Sequence, residues 1–131
     1  MSKAIQARGK RKRAVARATV QKGVGQVIIN GQSLESYGSH MIRLRISEPL
    51  VIASDVVKKL NISVKVNGGG EHGQADAVRL AIARALVQHD DKLKKIFDQY
   101  DRLLLVADVR RKEVCKPNDS KARAKRQKSY R

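Results

Sequence analysis

The sequence predicts a small α+β domain in which helices cover one face of a single sheet. Segments in which apolar and polar side chains alternate come first along the chain, and segments with the helical period follow them. At 131 residues the chain is long enough for one domain with a modest core and too short for two. The predicted order is β-β-β-α-β-α-α-β, which gives a two-layer sandwich.

The first three strands are predicted from alternation and from turn residues. Arg13–Val20 places alanines on one face and arginines on the other, as in a half-buried strand. Gln26–Ile29 forms the second strand, and Asn30-Gly31 is a hairpin signal because both residues tolerate a positive φ. Gln32–Leu34 then completes a three-stranded meander.

The middle of the chain predicts an extended segment, a helix and a strand. Ser36–Ile46 is predicted to be extended because isoleucine and leucine alternate with arginine near its end. Ser47-Glu48-Pro49 is typical of a helix start, with a capping hydroxyl, an acid in the first turn and a proline. Helical spacing then continues to Leu60, and the predicted helix ends at Asn61; Ile62–Val66 alternates as a strand.

Two helices and a last strand are predicted in the remainder of the globular part. The glycine-rich loop Asn67–Gln74 leads into Ala75–His89, whose apolar residues share one helical face. Asp91–Asp101 predicts a shorter amphipathic helix, and the apolar run Leu103–Val106 predicts a buried strand. The residues of the shorter helix that we expect to face inward are Leu93, Ile96, Phe97 and Tyr100.

The excess positive charge lies at the two ends of the chain. The formal net charge is +17, and the first 22 residues contain eight basic residues and no acidic one. Residues 23–109 have a net charge of only +1, and residues 110–131 have a net charge of +8. We therefore predict a nearly neutral globule with two cationic arms. Its domains are a globular part with a basic N-terminal segment, residues 1–109, and an extended basic tail, residues 110–131.

The tail and the N-terminal segment predict a nucleic-acid partner. Each Lys or Arg placed on a phosphate releases condensed counterions, so clustered cations favour polyanions. The tail lacks an apolar period, and we expect it to be disordered alone and ordered on a polyanion. No apolar run of about 18 residues exists, and neither arm carries the Trp, Phe or Leu side chains that would enter a membrane interface, so we expect no membrane partner. The lone Cys115 suits a reducing cytosol.

The glycine loop leaves several interpretations open. Gly68–Gly73 matches G-x-G-x-x-G between a strand and a helix, which would suit a nucleotide-binding enzyme, although the repeated βαβ units of such a fold are lacking. Backbone amides at the helix start could instead bind an RNA phosphate, or the glycines could only permit a tight turn. Arg79 and Arg84 on the following helix are equally open between surface salt bridges and phosphate contacts.

The sequence predicts no catalytic residue, no cofactor, no metal and no small-molecule substrate. His40, His72 and His89 show no metal-ligand spacing with one another or with Cys115. No motif suggests a nucleophile with its base, so we predict a protein that is not an enzyme. A free-standing architectural DNA-binding protein remains a rival within the nucleic-acid class.

Motifs along the whole chain resemble the universal family of small-subunit ribosomal protein S-nine. The most specific stretch runs from Val64 through the glycines and Arg79 to Leu86. Further matches follow in the expected order at Asn30-Gly31, Glu48-Pro49-Leu50, Asp108-x-Arg110-Arg111 and Lys121-Ala122-Arg123. The ending Gln127-Lys128-Ser129-Tyr130-Arg131 is similar to the archaeal and eukaryotic branch, and the short glycine-rich helix start is more similar to archaeal members.

The resemblance implies a fold, a location and partners. The fold would be a two-layer sandwich with a left-handed βαβ crossover, as in the second domain of ribosomal protein S-five, against the usual right-handed rule. The location would be the head of the small ribosomal subunit in the cytoplasm, with rRNA, neighbouring ribosomal proteins and P-site tRNA as partners. The tail would run through rRNA toward the anticodon stem-loop of that tRNA.

Charge and resemblance together give two sets of candidate binding residues. The rRNA-binding set is Lys10, Arg11, Lys12, Arg13, Arg17, Gly69, Gly70, Arg79, Arg110, Arg111, Lys112, Lys116, Lys121, Arg123, Lys125 and Arg126. The resemblance implies that the residues nearest the tRNA are Lys128, Ser129, Tyr130 and Arg131. We expect Arg110–Arg126 to thread rRNA and the last four residues to form the functional tip.

Overall fold

The computed structural model describes residues 3–111, together with the backbone of residues 120–121 and 123–124. The strands are β1 Ile5–Arg11, β2 Ala14–Lys22, β3 Val27–Ile29, β4 Gln32–Ser33, β5 Leu60–Asn67, β6 Ser120–Lys121 and β7 Arg123–Ala124. The α-helices are α1 His40–Ile52, α2 Ser54–Val57, α3 Glu71–His89 and α4 Leu93–Tyr100, and single 3-10 turns span Leu34–Ser36 and Arg102–Leu104.

The five strands β1 to β5 form one mixed sheet, which confirms the predicted α+β sandwich. Their order is β1-β2-β5-β3-β4, with β3 and β5 parallel and the other neighbours antiparallel. The predicted meander is therefore wrong, because β5 lies between β2 and β3. The amides of Gly23 and Gly25 bond to the carbonyls of Lys59 and Leu60, so the chain leaving β2 stays beside β5.

The parallel pair is joined through helices and forms a βαβ crossover. The chain leaves β3, makes the β3–β4 hairpin, and returns through α1 and α2 to β5. The hairpin turn is the predicted one, with positive φ at both Asn30 and Gly31. The Asn30 side chain also bonds to both backbone groups of Val66, which fixes the turn against the central strand. The left hand of the crossover stays a prediction of the resemblance.

The core lies between one face of the sheet and the helices α1 and α3. Every second residue of β2 and β5 is buried there. Three of the four buried residues of β2 are alanines, Ala14, Ala16 and Ala18, which leave room for a close helix. Helix α3 is correspondingly rich in buried alanine. At Gly9 of β1, an added Cβ would lie 2.2 Å from the Ala77 carbonyl oxygen, so the helix and the strand approach each other with no side chain between them.

Strand β1 was not predicted, and this corrects the picture of a cationic N-terminal arm. Residues 5–11 pair with β2 along their whole length, from Ile5 opposite Val20 to Arg11 opposite Ala14. Three basic residues and a buried glycine hide the alternation that marks a strand. The strand exists because tertiary packing against β2 and α3 outweighs its weak intrinsic preference.

Helix α1 begins earlier than predicted, and the predicted extended segment before it is wrong. Residues 42, 44 and 46 fit alternation, yet only Ile42 and Ile46 are buried, whereas Leu44 is 53% exposed. Leu50, four residues after Ile46, is also buried, so the buried side chains follow the helical period. Pro49 sits inside the helix rather than at its start, and because proline has no N–H the helix lacks the backbone hydrogen bond that residue 49 would donate.

The predicted end of the preceding helix at Asn61 is wrong, because the chain leaves the helix at Ala53, α2 ends at Val57, and Leu60 already begins β5. The other elements match the prediction more closely. Helix α3 covers the predicted Ala75–His89 and starts one turn earlier, with Gly70 at its N-cap. In α4, Leu93 and Phe97 are buried as predicted, but Ile96 and Tyr100 are about half exposed. The predicted strand Leu103–Val106 is wrong, because the Asp101 side chain accepts the Leu103 amide and caps a 3-10 turn there.

Within the described part of the chain, no helix is long and apolar enough to cross a membrane.

Candidate nucleic-acid interface

The two layers of the domain differ in charge. The strands β1 to β5 contain six basic residues and no acidic residue. All ten acidic residues of residues 23–109 therefore lie in helices and loops. The sheet that carries the N-terminal charge is thus the cationic side of the molecule, and the helical layer carries mixed charge.

Four of the predicted rRNA-binding residues are exposed on the β1–β2 hairpin. Lys10 and Arg17 project from β1 and β2, and their side chains are solvent-exposed. Lys12 and Arg13 form the turn between these strands, where Lys12 adopts a positive φ of 53°. These cations are held on a rigid hairpin, which fixes where a bound phosphate would lie.

Arg11 is directed away from these neighbours into a cluster of ion pairs. It pairs with Asp108, and its Nε lies 3.6 Å from a carboxylate oxygen of Asp76 in α3. Asp76 also accepts a 2.7 Å hydrogen bond from Arg45 of α1. Asp108 further accepts the backbone amide and the guanidinium of Arg110. This cluster joins β1, α1 and α3 to the first residues of the tail.

Arg79 makes a second set of ion pairs beside that cluster. Its Nε donates to Glu48 at 2.8 Å, and its Nη2 donates to Asp101 at 2.9 Å, with only 11% of the side chain exposed. Burial opposes the charge of the guanidinium, but the hydrogen bonds and charges of Asp101 and Glu48 outweigh it and raise the pKa of Arg79. Both acids also hold their elements, α1 and the 3-10 turn, against α3.

The pKa of Asp101 shifts in the direction expected for the partner of an arginine. Burial alone would raise this pKa, but the amide of Leu103, the hydrogen bond from Arg79 and the Arg79 charge together lower it. The carboxylate therefore stays ionised while it both caps the 3-10 turn and holds Arg79. The sequence left Arg79 open between salt bridges and phosphate contacts, and among the residues described it forms salt bridges.

Arg84 is the other arginine of α3 whose role the sequence left undecided, and it bonds to backbone carbonyls. Its Nε donates to Leu105 at 3.1 Å and its Nη1 donates to Arg8 at 2.9 Å. One side chain therefore ties the strand β1 and the segment that leads to the tail onto the same helix. Arg111 adds a weaker link, with its Nη1 3.4 Å from the carbonyl oxygen of Lys12.

The two ion-pair sets line one cavity of about 440 Å³. Five basic and four acidic side chains line it, so its charges nearly balance. A nearly neutral cavity crossed by ion pairs is suited to fixing elements relative to one another rather than to attracting a polyanion. It lies beside residues 108–110, which its ion pairs hold against the globule.

The glycine loop is explained in part by packing. Gly68 and Gly69 have φ values of +79° and +67°, and an added Cβ on Gly68 would lie 2.5 Å from the Arg13 carbonyl oxygen. Gly70 has an extended φ of −97°, and an added Cβ there would meet nothing within 4 Å. The tight turn thus accounts for Gly68 and Gly69, while Gly70 alone has free space beside its backbone.

The nucleotide-binding alternative has no support from the topology. A dinucleotide crevice needs repeated parallel βαβ units around a switch point. In the described sheet the only parallel pair is β3–β5, and the strand before the glycine loop, β5, is followed by no further strand of that sheet.

Part of the predicted site lies outside the described residues. Lys121 and Arg123 lie in the paired strands β6 and β7, where only the backbone is described. The predicted residues outside the description are Lys112, Lys116, Lys125, Arg126, Lys128, Ser129, Tyr130 and Arg131.

Two further cations, Arg8 and Lys65, share the exposed sheet face with Arg17 but were absent from the predicted set. Arg8 lies opposite Arg17 in β2, and Arg17 lies opposite Lys65 in β5. The alternation of Val64, Lys65 and Val66 already indicated that Lys65 points away from the core. Arg8 was missed because β1 itself was missed.

Comparisons with known proteins agree with the resemblance seen in the motifs. The sequence profile of the family described as "Ribosomal protein S9/S16" matches residues 9–131. The small ribosomal subunit protein uS9 of Thermoplasma acidophilum is 56% identical over 125 residues, which cover 94% of this chain and 97% of that protein. The protein of the same name from Pyrobaculum aerophilum is 49% identical over 125 residues, covering 94% and 88%. The chain therefore belongs to the ribosomal protein S9/S16 family and is of the archaeal type.

Proposed function

We propose that this chain binds rRNA in the small ribosomal subunit through the cationic side of its sheet and through its tail, with the tail tip approaching P-site tRNA. Family membership supplies the coarser part of this function. The chain is a structural, non-enzymatic component of the small ribosomal subunit in the cytoplasm, among rRNA and neighbouring ribosomal proteins. The rRNA contacts and the tRNA contact are the proposal.

The observation that carries the proposal is the separation of charge between the two layers. A solubilising surface mixes signs, whereas the strands β1 to β5 hold six cations without an acid. Phosphates make up the surface of folded RNA, so an acid-free cationic sheet beside a tail of net charge +8 suits that partner.

We assign the predicted residues two roles in this proposal. The exposed cations of the β1–β2 hairpin, Lys10, Lys12, Arg13 and Arg17, contact phosphates directly. The paired arginines Arg11, Arg79 and Arg110 act through the globule, by fixing the direction in which the chain leaves it. Gly69 and Gly70 remain candidates for a backbone approach by RNA, of which Gly70 has the free space that such an approach needs.

The tail provides the remaining contacts in the proposal. Arg111, Lys112, Lys116, Lys121, Arg123, Lys125 and Arg126 bind rRNA phosphates, and Lys128–Arg131 approaches the anticodon stem-loop of P-site tRNA. This part rests on the resemblance of the chain's ending and on a family match that extends to residue 131. The domain boundary near residue 109 belongs to the same proposal.

Binding of the purified full chain to transcribed small-subunit rRNA tests the rRNA proposal. The measurement is the ratio between the affinities for this RNA and for a DNA duplex of equal length, taken as KCl is raised. A protein that fits folded rRNA keeps its preference at high salt, where unspecific cationic binding is lost. Equal affinities for both nucleic acids over the whole salt range would instead support the architectural DNA-binding rival.

A further inference from the structure

The exposed face of the sheet carries a row of three cations across three neighbouring strands. The strand register places Arg8 of β1, Arg17 of β2 and Lys65 of β5 side by side. All three side chains are exposed, and the same face forms the wall of a shallow groove of about 480 Å³. Because neighbouring strands lie about 4.8 Å apart, the row spans about 10 Å.

This row is electrostatically unfavourable in the isolated molecule. Like charges directly opposite each other in a sheet destabilise it, and Arg17 has a cation on both sides. None of the three forms an ion pair within residues 3–111, whereas Arg11, Arg45 and Arg79 are paired with acids. The strands themselves supply no acid to relieve the repulsion. An anionic partner that bridges the row would relieve it.

The neighbouring side chains indicate what kind of anion fits. Two residues further along each strand, on the same face, Gln6, Thr19 and Ser63 form a second row of hydrogen-bonding groups in the same groove. Amide and hydroxyl groups of this kind bond to phosphate oxygens and to ribose hydroxyls. The strands β1, β2 and β5 contain no aromatic residue on which a base could stack. The face therefore suits a nucleic-acid backbone rather than exposed bases.

We infer that the row Arg8, Arg17 and Lys65 is a binding site for the phosphate backbone of folded RNA. The inference rests on the proposed rRNA-binding function and gives it a location on the open face of the sheet. The site recognises the charge and spacing of phosphates, and it does not read sequence. Its occupant is a duplex segment of the rRNA to which the rest of the chain also binds.

The test replaces all three cations in the full chain by Arg8→Gln, Arg17→Gln and Lys65→Gln. Binding to transcribed small-subunit rRNA is measured between 0.05 and 0.5 M KCl, about the range in which phosphate contacts dominate. We expect the slope of log K against log salt to fall by about 2 to 3, and the affinity near 0.1 M to fall on the order of 100-fold. The urea midpoint should be unchanged or higher, because the substitutions remove repulsion.

A matched control removes the same charge from the helical side, by Lys92→Gln, Lys94→Gln and Lys95→Gln at exposed positions beside acids. We expect its slope to change by less than about 1. Equal slopes for the two triple variants would overturn the sheet-face site while leaving rRNA binding intact. Failure of the unsubstituted chain to bind the rRNA would instead overturn the proposed function itself.

Discussion

At the scale of single residues, the glycines show what a motif can and cannot predict. The sequence drew attention to Gly68–Gly73 because of their spacing, and packing does require two of these glycines in the turn. The tightest approach of backbone to backbone lies elsewhere, at Gly9, which no motif marks. A close approach between a strand and a helix depends on which elements pack together, and a local pattern holds no such information.

Gly9→Ala should destabilise the fold strongly. The new methyl group would lie 2.2 Å from the carbonyl oxygen of Ala77 and 2.6 Å from the amide nitrogen of Ala81, and helical backbone cannot yield as a side chain can. We expect a loss of about 3 kcal/mol or more in the free energy of unfolding, measured by urea denaturation. Gly70→Ala is the control, since its methyl group enters open space, and the poorer N-cap should cost no more than about 1 kcal/mol. Equal losses would contradict this account of the β1–α3 contact.

At the scale of elements, α3 and β5 could be predicted because their patterns are long and unambiguous. Helix α1 could not, because a short segment with three apolar residues at every second position fits a strand as well as a helix. In the structure Ile42 and Ile46 are buried and Leu44 is exposed, which fits a helix and not a strand. Leu103–Val106 was likewise predicted to be a strand from its apolar run. The 3-10 turn found there depends on a cap by the side chain of Asp101, which lies outside that run.

Arg84→Lys tests how far one side chain of α3 organises its neighbours. The guanidinium bonds at once to the carbonyls of Leu105 and Arg8, and an ammonium group cannot reach both with that geometry. One of these two carbonyls, of which one is part-buried and the other exposed, would lose its partner, so we expect unfolding to become easier by about 1 kcal/mol in urea denaturation. Arg102→Lys changes an exposed arginine in the same way and should be nearly neutral. A neutral Arg84→Lys would show that the two bonds add no stability.

At the scale of the whole molecule, the sequence showed where the excess charge lies along the chain but not that much of it lies on the sheet. The net charge of +8 in the first 22 residues predicted an arm, whereas most of this segment forms the edge and neighbouring strands of the sheet. The charge therefore lies on a rigid surface, whereas the acidic residues of residues 23–109 lie in helices and loops. The helical layer in turn uses its acids to pair Arg11, Arg79 and Arg110, beside the point where the tail starts.

Deletion of Lys128–Arg131 tests whether rRNA binding can be separated from tRNA binding by the end of the tail. The sheet face and residues 110–127 stay in place, so the shortened chain should enter small subunits and bind rRNA nearly as well as the full chain. Loss of the two terminal cations should weaken P-site tRNA binding to the assembled subunits by about 10-fold at 0.1 M salt. Filter binding of tRNA to subunits carrying either chain measures this.

Two substituted chains separate the contributions of that tip. Lys128→Gln with Arg131→Gln removes its charge, and Ser129→Ala with Tyr130→Ala removes its hydroxyl groups and its ring. If the tip acts through phosphates, the first pair should reproduce most of the deletion and reduce the salt dependence of tRNA binding, while the second should not. A dominant effect of the second pair would assign the contact to stacking or hydrogen bonding instead. Equal tRNA affinity for the deleted and full chains would remove the tRNA contact from the function and leave an rRNA-binding protein whose tail serves only assembly.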